Sequence, residues 1–182
     1  MKKRGLALLL ASLAALASVA AAGAKPESTT ITGAGSTFVA PLVSQWVPAL
    51  GTAFDYTVQY SAVGSGAGVS AITARTVDFG ASDAPLTSDQ FTACNGCVQI
   101  PWALAGTAID YNLPGLVLPK NTNLKLTGAV IAKIYMGQIT NWNDPAIAKD
   151  NPGAHLPDQK IIVVHRSDGS GTTFIFSDYL SK

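Results

Sequence analysis

Three times along this chain a run of strand-forming residues breaks at a cluster of glycine, serine and threonine and resumes at helical spacing. In the first, Ile31 leads into Gly33-Ala34-Gly35-Ser36-Thr37, and Phe38, Val39, Leu42, Val43, Trp46, Val47 and Leu50 follow three and four apart. Pro41 falls in the first turn of that helix, where a missing N–H costs nothing. In the second, Phe54, Tyr56, Val58 and Tyr60 alternate with polar residues, then Gly64-Ser65-Gly66-Ala67-Gly68 opens onto Val69, Ile72 and Ala74. In the third, Ile161-Ile162-Val163-Val164 ends at His165-Arg166, and Ser167-Asp168-Gly169-Ser170-Gly171-Thr172-Thr173 leads into Phe174, Ile175, Phe176 and Tyr179. Strand, loop and helix in repeated alternation predict an α/β fold. No segment recurs at a fixed period, which excludes solenoids and propellers.

The intervening segments fit the same class. Val77 to Ala81 reads as a brief strand broken at Ser82-Asp83-Ala84-Pro85, and a helix starts near Thr87 with Ser88-Asp89 at its head. Val98 to Ala108 is nearly continuously apolar, as a strand covered on both faces would be. Leu126, Val130, Ile131 and Ile134 share a helical face closed by Gly137, and the turn at 139–145 feeds a short helix over 146–149. With 48% of its 182 residues hydrophobic and 13% charged, the chain is neither disordered nor a coiled coil.

Lys2, Lys3 and Arg4 precede an apolar run of Leu, Ala, Gly and Ser, and Ala22-Gly23-Ala24 offers a small-x-small cleavage site. Residues 1–24 are therefore expected to be a cleaved secretory leader. A retained anchor is the alternative, because Gly5 to Ala24 is long enough to cross a bilayer. No cysteine lies near the site, which argues against a lipid anchor. Removing the leader takes three of the 12 Lys+Arg and none of the 11 Asp+Glu, leaving a net charge of −2. That balance speaks against a nucleic-acid partner. Export would place Cys94 and Cys97 in an oxidising compartment, where the pair is expected to close a small disulfide across Asn95-Gly96. A redox pair would want a helix N-terminus after it, and a zinc site a second pair; the sequence offers neither.

Where a strand hands over to a helix through Gly, Ser and Thr, the first helical N–H groups are unpaired and hydroxyls stand beside them. Such donors suit an anion, and several loops gathered at the carboxyl edge of a sheet could surround one. Each loop taken singly reads better as an ordinary helix cap, and it is three of them with a nearby arginine that point to a site. Arg166 could offer its planar fork to two oxygens of a tetrahedral anion while Asp168 braces it; the alternative is an exposed ion pair of little worth. Asp83, a carboxylate among donors, would repel an anion unless the anion carries a proton. Hydrogen phosphate could donate that proton, whereas sulfate would set two acceptors face to face.

Taken together, Thr32 to Phe38, Val63-Gly64-Ser65-Gly66, Val77 to Leu86, Ile139 to Asp144 and Arg166 to Thr172 closely resemble the periplasmic phosphate-binding proteins of phosphate-specific ABC transporters. The resemblance covers nearly all of residues 30–182, with the motifs in order. It implies a two-lobed, periplasmic-binding-protein-like α/β architecture of which only the N-terminal portion is present. Residues 25–108 would belong to the first lobe and 109–182 would open the second. It implies that Thr37, the Phe38 N–H, Ser65, Ser170, Gly171 and Thr172 donate to phosphate, that Arg166 pairs with it, supported by Asp168, and that Asp83 accepts the ligand proton and rejects sulfate. The expected partners are inorganic phosphate and the inner-membrane permease of an ABC importer, for a monomeric periplasmic binder with no cofactor. Family members run on for about as much chain again, so apolar faces along Val98 to Ala108 would lack cover in this chain.

An enzyme is the competing class. The chain has no Gly-x-Ser-x-Gly elbow, no Gly-x4-Gly-Lys-Ser/Thr loop and only two histidines, which leaves no activated nucleophile, nucleotide loop or metal site. An exported phosphoester hydrolase using the same oxyanion cradle, or a fragment without function, are the alternatives to a binding protein.

Overall fold

The computed structural model describes residues 29–182, so the leader expected over residues 1–24 lies outside the described residues. A three-stranded parallel sheet, in the order β2-β1-β3, organises the N-terminal part. It is built from β1 (Thr29–Gly35), β2 (Tyr56–Ala62) and β3 (Phe79–Ala81). The register sets Thr29 opposite Tyr56 and Gly35 opposite both Ala62 and Ala81, which brings all three strands to their carboxyl ends at one level. Helices α1 (Ala40–Phe54) and α2 (Ser65–Thr73) connect the strands, and α3 (Ser88–Cys94) follows β3. The second strand expected to open at Phe54 begins two residues later, because Phe54 closes α1 and Asp55, at φ 55°, turns the chain with its N–H on the Gly51 carbonyl. The Gly64–Gly68 loop is likewise shorter than expected: only Gly64 stays outside, and the helix starts at Ser65.

Helix α3 is headed by Thr87, whose hydroxyl accepts from the Gln90 N–H while the Gln90 side chain accepts from the Thr87 N–H. At its other end a disulfide joins Cys94, which is buried, to Cys97. Arg75 donates from Nη2 to the carbonyls of Cys94 and Asn95, both at 2.8 Å, covering acceptors that the helix leaves open.

The second cluster comprises α4 (Gly128–Tyr135), α5 (Pro145–Asp150) and the segments around them. Val130, Ile134, Ile139, Ile147 and Ile161 form its core, with Leu126, Trp142 and Leu156 packed against them. Asn151 is buried there and satisfied: its amide accepts from Lys125 N–H and donates to the carbonyls of Lys125 and Ile147. Helix α6 (Gly171–Ser181) follows. No helix among the described residues is long and apolar enough to cross a membrane.

Two expected strands do not form. Ile161 to Val164 alternates as a strand should, with Ile161 buried and Ile162 and Val164 about four-fifths exposed, but its neighbour Lys160 makes only an isolated bridge to Asn141. Val98 to Ala108 is irregular, with Leu104 fully exposed. A strand exists only where another strand pairs with it, and among the described residues no ladder partner lies beside either run. The third strand–loop–helix unit therefore keeps its loop and helix and lacks a paired strand.

Gly68 carries α2 directly onto the strand ends: a methyl there would come within 2.7 Å of the Ala34 carbonyl oxygen and 3.0 Å of that of Ala81. Backbone atoms cannot swing aside as a side chain can. Gly68→Ala is expected to cost about 1–3 kcal/mol in stability by overpacking, seen as a lower midpoint in a thermal melt. An unchanged melt would mean that α2 is not tightly seated.

Candidate functional site

The carboxyl end of the sheet is where the conserved geometry of parallel α/β units leaves a crevice, and the side chains singled out above meet there. β1 delivers Ser36 and Thr37 directly after its last residue, and the Ser36 N–H donates to the Ala81 carbonyl at 2.9 Å, tying that corner to β3. β3 runs on to Asp83, α2 begins at Ser65, and α6 begins at Gly171 behind its cap Ser170. The Gly66 N–H donates to the Gly169 carbonyl at 2.7 Å, which joins the α2 and α6 entries.

Asp83 is the hub. Its Oδ1 accepts from Ser36 Oγ, and its Oδ2 accepts from Thr172 Oγ1 at 3.2 Å and Ser65 Oγ at 3.4 Å. Its backbone N–H donates back to Ser65 Oγ at 3.3 Å. Gly171 makes the approach of α6 possible, since a methyl on it would stand 2.7 Å from both Asp83 Cβ and Ser65 Oγ. Ser36 and Ser65 are buried, Asp83 and Thr172 half-buried, and Thr37 exposed, so the group opens to solvent on one side.

Arg166 stands at that opening. Nε and Nη2 grip the two oxygens of Asp168, and Nη1 donates to Thr37 Oγ1 at 3.0 Å. The Asp168 hydrogen bonds hold the guanidinium pKa above its ordinary value, and in return Arg166 holds Asp168 below its usual 3.8. Asp78 is also held low, by the N–H and hydroxyl of Thr32. A carboxylate whose folded pKa is depressed adds stability above its unfolded pKa and loses it as pH falls through the folded value. In an NMR acid titration Asp168 and Asp78 should therefore reach their midpoints below 3.8; ordinary midpoints would deny both contacts.

One cation and two carboxylates give the site a net formal charge of −1. An anion would be held by neutral donors and by the helix starts, with Arg166 largely neutralised by Asp168. Hydroxyls suit this work because they rotate between acceptors.

Hydrogen bonds bring Thr37, Ser65, Asp83, Arg166, Asp168 and Thr172 together, and Gly171 joins them by close packing. Phe38 is reached through its N–H, 3.1 Å from Ser36 Oγ. Ser170 lies next in the chain, but its hydroxyl accepts from the Thr173 N–H at 3.2 Å, as a helix cap does. Cys94 and Cys97 belong to the far end of α3. Two residues that sequence reasoning passed over complete the group. Ser36 lies inside the quoted glycine loop, one residue before Thr37, and its position at a strand end was the available signal. Tyr60 donates from its hydroxyl to the Ser36 carbonyl at 2.8 Å, and burial, then the charge of Asp83, push its pKa up to about 12; nothing local in the sequence marks it.

Residues 20–182 match the PBP superfamily domain, the family to which the chain belongs, and helix starts gathered at the carboxyl edge of a parallel sheet fit that α/β fold. Over 156 residues, 86% of its length, the chain is 49% identical to the phosphate-binding protein PstS of Xylella fastidiosa, covering 42% of that protein. It is 47% identical to PstS of Pasteurella multocida over 86% of its length, covering 44% of that relative. The chain thus spans less than half the length of these relatives. Among solved structures it resembles a phosphate ABC transporter substrate-binding protein of Clostridium perfringens with bound phosphate, at TM-score 0.59 and 28% identity over 84% of this chain and 56% of that one. It also resembles an ABC-type phosphate transport receptor of Vibrio cholerae, at TM-score 0.51 and 26% identity over 83% of this chain and 55% of that one.

Proposed function

We propose that this chain captures inorganic phosphate outside the cytoplasm, as a periplasmic monomer, and hands it to the inner-membrane permease of an ABC importer. The carrying observation is Asp83: one carboxylate receiving three hydroxyl donors beside a braced arginine. When monohydrogen phosphate enters, Ser65 and Thr172 turn to its oxygens, Thr37, the Phe38 N–H and the Gly171 N–H complete the donor set, and Arg166 supplies the charge. Ser170 contributes at the same helix start. The ligand's own proton goes to the Asp83 oxygen that the hydroxyls vacate. Sulfate has no proton to give and meets a bare acceptor.

Residues 25–108 are read as the N-terminal part of the first lobe and 109–182 as the start of the second, with the Cys94–Cys97 bridge steadying α3. Residues 1–24 are read as the cleaved leader that directs export. The names of the relatives, their identity along most of this chain and the donors gathered on Asp83 support this reading. No catalysis is part of it: among the described residues Ser36 and Ser65 face a carboxylate with no imidazole beside them, and the His165 ring lies against the Arg166 carbonyl. Equilibrium dialysis of the folded full chain with radiolabelled phosphate should show one saturable site that excess sulfate does not empty. A chromogenic phosphate ester should stay intact. Turnover of the ester would favour the hydrolase, and retention of no label would defeat the binding reading.

A further inference from the structure

Ser36 is 1% exposed, and each of its polar groups is engaged. Its N–H donates to the Ala81 carbonyl, its carbonyl accepts from Tyr60, and its Oγ donates to Asp83 Oδ1 while accepting from the Phe38 N–H. A serine hydroxyl has a single proton to give. Committed to Asp83 and shut away from solvent, that proton is not available to a ligand, unlike the hydroxyls of Thr172 and Thr37 at the more open side.

Resting on the phosphate-binding reading, we propose that Ser36 is a positioning residue that divides the Asp83 carboxylate into a fixed oxygen and a working one. Oδ1 is held by Ser36 from inside the fold, at a corner locked by β1, β3 and Tyr60. Oδ2 is met more loosely, by Thr172 Oγ1 at 3.2 Å and Ser65 Oγ at 3.4 Å, so it is the oxygen released when an anion takes those hydroxyls. The carboxylate then has one oxygen aimed at the ligand and no freedom to rotate away from it. Discrimination between a protonated and an unprotonated tetrahedral anion depends on that aim, because a carboxylate that could turn aside would spare sulfate the facing acceptor. Ser36 thus sets selectivity through Asp83 without touching the ligand.

The test is calorimetric titration of the folded full chain with phosphate and with sulfate, for wild type, Ser36→Ala, Asp83→Asn and the double variant. Loss of one hydrogen bond to a charged group predicts that Ser36→Ala lowers the phosphate-to-sulfate affinity ratio about tenfold. In the Asp83→Asn background the same substitution should change the ratio less than about twofold, since the group it acts through is gone. Ser36→Thr keeps the hydroxyl and should stay near wild type. A ratio unmoved in Ser36→Ala, even with a lowered melting temperature, would reduce Ser36 to a packing role and overturn the proposal. An equal loss in both backgrounds would make Ser36 a direct ligand contact and overturn it as well. Wild-type protein that is folded and takes up no phosphate would instead remove the binding reading on which the proposal stands.

Discussion

Asp83→Asn is expected to erase most of the preference for phosphate over sulfate. The side chain keeps its size and its place among Ser36, Ser65 and Thr172, so the site should persist while one acceptor becomes a group that can also donate. Hydrogen phosphate then loses the partner for its proton, and sulfate gains a donor where it met a repelling acceptor. The two changes push the ratio the same way. An unpaired buried group costs about 1–3 kcal/mol, so the ratio should fall by roughly ten- to a hundredfold. Competition titrations of the two anions would measure it, and a ratio equal to that of wild type would show that discrimination resides elsewhere.

Arg166→Ala should weaken phosphate binding about ten- to a hundredfold, with less dependence on salt than in wild type. Removing the guanidinium takes away the only cation in the group and also strands Asp168, whose charge then faces the incoming anion. The double variant Arg166→Ala/Asp168→Ala should accordingly bind better than Arg166→Ala alone. Arg166→Lys should not rescue, because an ammonium cannot hold both Asp168 oxygens and Thr37 in one plane. Since Arg166 and Asp168 are each more than a third exposed, solvent screening keeps these effects below those of a buried pair. Full affinity in Arg166→Ala would mean that neutral donors alone retain the ligand.

The site was more legible in the sequence than the sheet around it, for a physical reason. Gly35-Ser36-Thr37, Gly64-Ser65 and Ser170-Gly171-Thr172 owe their form to local rules: a helix start needs a cap, and hydroxyl and glycine residues supply it. The first two meet because parallel strands end at one level; the third is brought in by the Gly66 N–H bond to the Gly169 carbonyl and by the packing of Gly171 on Asp83. Strands, by contrast, are made by partners far along the chain. Val98 to Ala108 and Ile161 to Val164 have the composition of strands, and composition does not tell whether anything lies alongside. The contacts of Ser36 are equally non-local, running to Asp83, 47 residues away, and to a tyrosine from the neighbouring strand, although its place at a strand end is visible locally. Asp83 itself could be read as out of place among donors because charge can be weighed without coordinates.

Those two kinds of information divide the molecule. The local rules prepare a set of hydroxyls and N–H groups; the sheet register decides which carboxylate they surround. A site assembled this way would hold an anion with little net positive charge, and the proposed choice of anion rests on one acceptor being aimed correctly.

The most direct test is a calorimetric titration of the folded full chain at pH 7, first with phosphate and then with sulfate. Saturable binding of phosphate, with sulfate weaker by about a hundredfold or more, is the predicted result. Equal affinities for the two anions, or no heat with phosphate in a sample that melts cooperatively, would contradict it.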